Sequence, residues 1–179
     1  MRSACIFLVL ALLAGSLTLW PGVAYSAVCI STGSGTWGGA SDTATWDCGT
    51  PNTTDDVVIA SGTAISLAGP VTVNSLTIQN GGSLTGATGN DLTVTGDWSN
   101  SGTFTHSGSD VTLAASSGTQ TVSGSTTFGK LYTANSGVKD FATSAIVIET
   151  ALLHNGGSMQ GGTGAFTFRD GATISGSNV

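Results

Sequence analysis

The sequence predicts an all-β protein built as a parallel β-helix (β-solenoid), in which the chain winds into stacked rungs of about 20 residues. Three observations predict this fold: the composition, a recurring turn tetrapeptide, and short apolar segments between the turns. The 179 residues include 28 Thr, 27 Gly and 23 Ser, and these residue types are poor helix formers. Hydrophobic residues still make up 40% of the chain, which favours a folded core over disorder.

The tetrapeptide contains glycine at its third position, as in Asn80–Ser83 and Asn155–Ser158. Its glycines are separated by 20, 20, 16, 19 and 20 residues, and they are Gly62, Gly82, Gly102, Gly118, Gly137 and Gly157. Internal repeats at this spacing are typical of a solenoid. We assign these glycines to turns, because glycine adopts positive φ angles without steric cost.

A strand-like segment rich in Val, Ile and Leu precedes each tetrapeptide. These segments are Val57–Ile59, Leu76–Ile78, Leu92–Val94, Val111–Leu113, Leu131–Tyr132 and Ile146–Ile148. Shorter alternating pieces follow the turns and indicate strands with one buried face. The alternative is an antiparallel β-sandwich, which also places strands about 8–12 residues apart. A sandwich does not require a turn motif that recurs at the period of a full rung, so the β-helix is preferred.

Residues 1–26 are organised as a secretory signal peptide. Arg2 supplies the positive charge, Ala4–Trp20 is largely apolar, and the small residues Ala24 and Ser26 follow the break at Pro21. We expect cleavage near Ser26 or two residues earlier, and a secreted or cell-surface location. A retained signal anchor is the alternative, but the apolar segment is slightly short for a span of about 20 residues. After cleavage the sequence predicts no transmembrane helix.

Residues 27–56 differ from the repeat and predict an N-terminal cap, with the solenoid occupying residues 57–179. The cap contains Cys29 and Cys48, an even pair that predicts a disulfide in an exported chain. A zinc site is the alternative, but it needs four ligands, and no histidine lies between the two cysteines. We therefore expect no metal and no other cofactor.

Tryptophans are the residues most suited to contact carbohydrate. Trp37 and Trp46 lie in the cap segment, and Trp98 lies within the repeat. Aromatic residues of a cap normally cover the end of a solenoid core, because that end would otherwise expose apolar surface and strand edges. The alternative is that Trp37, Trp46 and Trp98 stack on a sugar.

Several motifs resemble the N-terminal β-helical region of large secreted bacterial surface proteins of the adhesin and haemagglutinin-like type. The similarity covers about residues 37–124 and rests on Trp37, Trp46, Pro51, Asp55–Thr63, Val73–Leu84, Gly96–Phe104 and Gln120–Gly124. This resemblance implies a right-handed parallel β-helix, an extracellular location, and a role in attachment or matrix building. The sequence ends at Gly171–Val179 within what reads as a further rung. We expect either a longer parent protein or a partner, such as a second copy bound end to end, that covers this edge.

Charge and chemistry exclude several function classes. With 4 Lys+Arg against 10 Asp+Glu and a formal net charge of −6, the chain lacks the basic surface of a nucleic-acid binder. The best catalytic combination, Asp97, Trp98, His106 and Asp110, shows no recognised spacing, although Asp91 and Asp110 are placed to approach each other along one edge. One imperfect calcium-type motif, Gly86–Asp91, cannot build shared sites. We expect an exported, non-enzymatic surface or extracellular protein, or a fragment of one, that serves as an adhesive or as a structural stalk and binds a polysaccharide, matrix or cell-surface ligand. The alternative is a carbohydrate-active β-helix protein that binds, cleaves or hydrolyses polysaccharide.

Overall fold

The computed structural model describes residues 26–40, 42–161 and 163–176, so nearly all of the predicted signal peptide lies outside the described residues. Every regular element in these ranges is a β-strand. The same ranges contain no helix with the length and apolarity to cross a membrane. The all-β prediction is therefore confirmed.

The strands follow one another in rungs. The first rung contains β1 (Val28–Gly33) and β2 (Gly35–Trp37) and is followed by the short β3 (Thr45–Trp46). Three rungs of three short strands come next: β4 (Asp56–Ile59), β5 (Ala64–Leu67) and β6 (Val71–Val73); β7 (Leu76–Ile78), β8 (Ser83–Thr85) and β9 (Leu92–Val94); β10 (Trp98–Asn100), β11 (Thr103–Thr105) and β12 (Asp110–Leu113). Two long strands, β13 (Thr119–Thr133) and β14 (Val138–His154), each form a whole rung, and β15 (Ser158–Gln160), β16 (Phe166–Phe168) and β17 (Thr173–Gly176) form the last.

Equivalent strands of successive rungs pair in parallel and create three faces. Face I contains β1, β4, β7 and β10, face II contains β2, β5, β8 and β11, and face III contains β6, β9 and β12. The strands β13 and β14 turn through all three faces without interruption, and β15, β16 and β17 pair with β14. The result is a β-solenoid of about 6 turns with rungs about 20 residues apart, which confirms the predicted architecture over the sandwich. All six predicted strand segments lie in strands.

Side chains that point inward stack into continuous columns because every rung repeats the register of its neighbour. On face I, Val57 pairs with Leu76, Leu76 with Trp98, and Trp98 with Val122. All four are 0–1% exposed. Burial of such a side chain stabilises the fold by roughly 1.5–3 kcal/mol. Alternate residues point outward, as the predicted period of two requires.

A uniform repeat would place every tetrapeptide at the same corner of the coil, but the tetrapeptides occupy two different corners. Gly62, Gly82 and Gly102 lie between faces I and II, whereas Gly118, Gly137 and Gly157 lie between faces III and I. The shorter spacing of 16 residues, between Gly102 and Gly118, marks the change from one corner to the other. In β13 the corner between faces I and II is made within the strand by Gly124, at a φ of 86°.

The glycines also have two different physical roles, which corrects the single role predicted from the sequence. Gly62 adopts a φ of 80°, where a side chain would be strained. At Gly102 the backbone is not left-handed, but a Cβ atom would lie 2.3 Å from the Gln79 carbonyl oxygen and 2.5 Å from that of Gly82. Glycine is needed there because the backbone of the adjacent rung lies too close for any side chain.

The segment 27–56 contributes both ordinary rung strands and an edge cover. Strand β1 pairs in parallel with β4, and β2 pairs with β5, so both strands belong to the solenoid stack. Strand β3 instead pairs antiparallel with β1 on its outer side. An antiparallel strand of two residues ends the parallel ladder there, which is one of the ways proteins protect an exposed sheet edge.

Replacement of Gly102 by alanine tests the close approach of neighbouring rungs. Because the new Cβ would meet two carbonyl oxygens, we expect Gly102→Ala to lower the free energy of unfolding by about 1–3 kcal/mol. The matched control is Gly161→Ala, where nothing lies within 4 Å of the added atom and a change of no more than about 1 kcal/mol is expected. Denaturant titrations of both variants measure the difference, and equal midpoints would contradict the packing role of Gly102.

Candidate functional site

The three tryptophans are interior residues. Trp37 is 1% exposed, Trp46 9% and Trp98 0%. The rings of Trp37 and Trp46 lie 5.2 Å apart between centroids and cover the N-terminal end of the core, while Trp98 donates a hydrogen bond from Nε1 to Thr126 Oγ1 at 3.1 Å. A sugar cannot stack on a ring whose faces are packed, so the carbohydrate contact considered for these three residues is corrected to a packing role.

The predicted disulfide between Cys29 and Cys48 is present, with 5.2 Å between the two Cα atoms. It connects the buried Cys29 of β1 to the exposed segment after β3, and Asp47 Oδ1 accepts a hydrogen bond from Ile30 N at 2.8 Å beside it. The ligand atoms of Cys29, Cys48 and Asp55 lie within 4.8 Å of one another. The sulfur atoms are bonded to each other, however, so this cluster serves as a covalent anchor for the edge cover.

Removal of the disulfide should loosen that edge cover. The bond closes a segment with a sequence separation of 19, and loss of such a crosslink costs about 2–4 kcal/mol through the entropy of the unfolded chain. We expect the Cys29→Ala/Cys48→Ala variant to be less stable by this amount in denaturant titrations. A reductant should destabilise the unmodified protein and leave the variant unchanged; equal stability of the two proteins without reductant would contradict the account.

One edge of face III carries a column of charged residues. The prediction that Asp91 and Asp110 approach each other is confirmed, because Asp91 Oδ1 accepts a hydrogen bond from the Asp110 backbone N–H at 3.1 Å. The next residue in register is Lys130, whose ammonium lies 3.6 Å from Asp110 Oδ2. The two aspartates therefore serve as a backbone acceptor and an ion-pair partner along this edge.

A second charged group lies at the corner between faces II and III. His106 Nε2 lies 3.0 Å from Glu149 Oε2, and Glu149 Oε1 lies 3.3 Å from Arg169 Nε. Since His106 Nδ1 accepts a hydrogen bond from Gly108 N, the neutral ring carries its proton on Nε2 and donates it to Glu149. Gly129 permits this contact across an intervening rung, because a Cβ there would lie 2.5 Å from His106 Nδ1.

The four residues considered for catalysis are not brought together. Asp97 precedes β10, at the corner between faces III and I, and its carboxylate accepts a hydrogen bond from Thr121 N at 2.7 Å. Trp98 is buried beside it. His106 lies at a different corner and contacts Glu149, and Asp110 contacts Lys130. General acid–base chemistry needs its groups within hydrogen-bond reach of one bound substrate, which these separate positions do not offer.

A buried lysine was missed by the sequence reasoning. Lys139 is 0% exposed, and its Nζ donates to backbone carbonyls of Ala115 at 3.2 Å and Gly137 at 3.0 Å, and also to Ala134. Burial lowers the pKa of its ammonium group below the ordinary value. The residue in register one rung earlier is Gln120, whose side-chain amide likewise donates to backbone carbonyls, those of Val94 and Gly96.

A signal for this position exists in the sequence. Gln120, Lys139 and Met159 each lie two residues after a tetrapeptide glycine, at the corner between faces III and I. Carbonyl oxygens converge at that corner and need donors, since buried acceptors without partners are costly. Residue type alone points the other way, because lysine is almost never fully buried without a charged partner.

Replacement of Lys139 by glutamine tests this arrangement through pH. Because the folded-state pKa lies below the ordinary 10.5, the unfolded chain binds more protons than the folded chain between those two values, and stability rises with pH there. The unfolding free energy of the unmodified protein should therefore increase relative to Lys139→Gln as the pH approaches 10.5. A difference that stays constant throughout the alkaline range would contradict the burial of a charged ammonium.

Hydroxyl groups dominate the outward columns. On face III, Thr72, Thr93 and Thr112 stack in register. Face II carries a similar outward column of Ser66, Thr85 and Thr105. Face I has a shallow groove of about 440 Å³, whose lining includes Ser75, Thr77, Ser99 and Ser123 together with the carboxylates of Asp56 and Asp97.

Comparison with known proteins gives no assignment: no protein-family model matches the chain, and no curated protein or solved structure is significantly similar to it. The function therefore has to be argued from the surfaces themselves.

Proposed function

We propose that this chain is an exported, non-enzymatic surface protein, or part of one, whose stacked hydroxyl columns attach to an extracellular polymer. The observation that carries the proposal is the repetition of outward hydroxyls on three faces, as in the column of Thr72, Thr93 and Thr112. Parallel strands repeat about every 4.8 Å, so a column offers hydrogen-bonding groups at regular intervals along the coil. A polymer with regularly repeating hydroxyls is the ligand that suits such a surface.

Charge narrows the class of polymer. The chain has 10 acidic and only 4 basic residues besides histidine, so a strongly anionic polymer would be repelled. Neutral polysaccharides, or matrix proteins that are not acidic, remain as ligands. The signal-peptide organisation of residues 1–26 and the Cys29–Cys48 disulfide support export.

The alternative function, a carbohydrate-active β-helix enzyme, rests on Asp97, Trp98, His106 and Asp110. Their separate positions favour attachment over catalysis at this set of residues. Unchanged activity on a polysaccharide panel after Asp97→Ala and Asp110→Ala would reject this alternative, whereas loss of an activity in both variants would replace the attachment proposal with it.

Retention on insoluble neutral polysaccharides and immobilised matrix proteins tests the proposal. We expect the protein to be retained, and we expect Thr93→Val/Thr112→Val to reduce retention several-fold, because valine keeps the shape of the column and removes its hydroxyls. The variant Thr85→Val/Thr105→Val removes hydroxyls from the column of face II and should also reduce retention; unchanged retention in both variants would contradict attachment through the hydroxyl columns. Failure of every polymer and matrix protein to retain the protein would contradict the proposal.

End-to-end association would extend the solenoid into the structural stalk that the sequence leads us to expect. In the last described rung, Met159, Phe166 and Phe168 are half-buried and Ile174 is 50% exposed. A further rung, supplied by the same chain or by a second copy, would cover them. Sedimentation analysis tests self-association: the proposal expects a mass that increases with concentration, and a constant monomer mass would reject it.

A further inference from the structure

The hydrogen-bonded ladder of face II is interrupted at one place. Faces I and III remain paired between the fourth rung and β13, through Trp98 with Val122 and Asp110 with Lys130. On face II, in contrast, β11 is the edge strand of a separate four-stranded sheet, and within the described residues its one pairing is with β8. Residues 125–128 of β13 likewise pair on face II with β14 alone. A cleft of about 330 Å³ lies between these two edges.

An aromatic cluster lies beneath the cleft. The ring of Trp98 lies 5.2 Å from that of Phe104 and 5.2 Å from that of Phe128, and the rings of Phe104 and Phe128 lie 5.9 Å apart. Three rings from two adjacent rungs thus pack against one another where β11 and β13 are unpaired. Asn100 secures one end of the cleft by donating from Nδ2 to Ser125 O at 2.9 Å.

The interruption directs backbone groups into the cleft. Along a parallel strand, successive residues bond to opposite neighbours. In β11, Thr103 N bonds to Gly82 O and Thr105 O accepts from Gly86 N, so the N–H and C=O of Phe104 point toward β13. On the opposite wall, Ile146 of β14 bonds through its N–H to Ala165 O in the next rung. By the same alternation, the backbone groups of Val147 point toward β13. The N–H and C=O of Thr127, which pairs with Val147, therefore point away from β14 and into the cleft. Two donors and two acceptors thus converge from opposite walls.

The side chains of the cleft are uncharged. Its lining includes the hydroxyls of Thr103, Ser125 and Thr127, the edge of Phe104, and the methyl groups of Ala145 and Val147. Insertion of a peptide strand would require about twice the strand spacing of 4.8 Å. The paired ladders of faces I and III limit the opening at both ends. The cleft therefore suits a compact neutral molecule with several hydroxyls and an apolar side.

We propose that the cleft between β11 and residues 125–128 binds a single ring of a neutral sugar. The sugar hydroxyls bond to the backbone groups of Phe104 and Thr127 and to the threonine and serine hydroxyls, and its C–H groups contact the methyl groups of Ala145 and Val147. This inference rests on the proposed attachment to neutral polymers and assigns it a site of terminal-sugar recognition. Affinity for one ring is expected in the millimolar range, since few atoms are in contact.

Nuclear magnetic resonance titration of the full chain with glucose, galactose, mannose and N-acetylglucosamine tests the site. At least one sugar should shift the amide signals of Phe104 and Thr127 in a saturable manner and slow their hydrogen exchange. Thr127→Val should weaken that affinity several-fold, because the variant loses a cleft hydroxyl. The matched control Thr167→Val makes the same change in the same outward column two rungs away and should leave the affinity unchanged.

The proposal is overturned if none of the four sugars shifts the cleft signals, if the shifts map to other residues, or if the two valine variants bind equally. Slow exchange of the Phe104 and Thr127 amides without sugar would also overturn it, because these groups would then be paired already. Retention on insoluble polysaccharide, measured in parallel, separates the two proposals. Retention on polysaccharide without shifts of the Phe104 and Thr127 signals would reject the sugar site in the cleft and leave the proposed attachment role standing. Absence of both retention and signal shifts would reject both proposals.

Discussion

The register between stacked rungs is the constraint on which the rest of this structure depends. Each inward side chain lies directly over its equivalent in the rung below, and each backbone edge bonds to the next, so one rung cannot change shape independently. The column Val57, Leu76, Trp98 and Val122 shows the consequence for the core. The carbonyl oxygens around Gly102 show the consequence for the corners, where neighbouring rungs approach too closely for a side chain.

The molecule acquires chemistry where one rung differs from its neighbours in strand pairing or in side chain. Beside the aromatic cluster of Trp98, Phe104 and Phe128, face II is unpaired between β11 and β13, and a neutral cleft lies there. At another corner the converging carbonyls are satisfied by Gln120 in one rung and by the buried ammonium of Lys139 in the next. The charged contacts follow the same logic, because His106 reaches Glu149 only where Gly129 leaves room across a rung.

The architecture could be predicted from the sequence because each rung of a solenoid repeats the same local pattern of apolar strand segments and turn residues. The apolar segments at Leu76–Ile78 and Leu92–Val94, for example, are strands in the structure as predicted. The corner assignments were less accurate, because Gly82 and Gly118 belong to the same tetrapeptide but lie at different corners of the coil. The site was less predictable still: Trp98 resembles a sugar-stacking residue in sequence, and only the stacking of rungs shows that its ring is enclosed.

Every surface described above depends on the parallel pairing of successive rungs at the observed register. Nuclear Overhauser contacts between backbone protons test this pairing directly. We expect Leu76 to contact residues around Val57 on one side and Trp98 on the other, with no hairpin contacts to the preceding strand β6. Antiparallel contacts between strands adjacent in sequence, as in a β-sandwich, would contradict the solenoid and every surface derived from it.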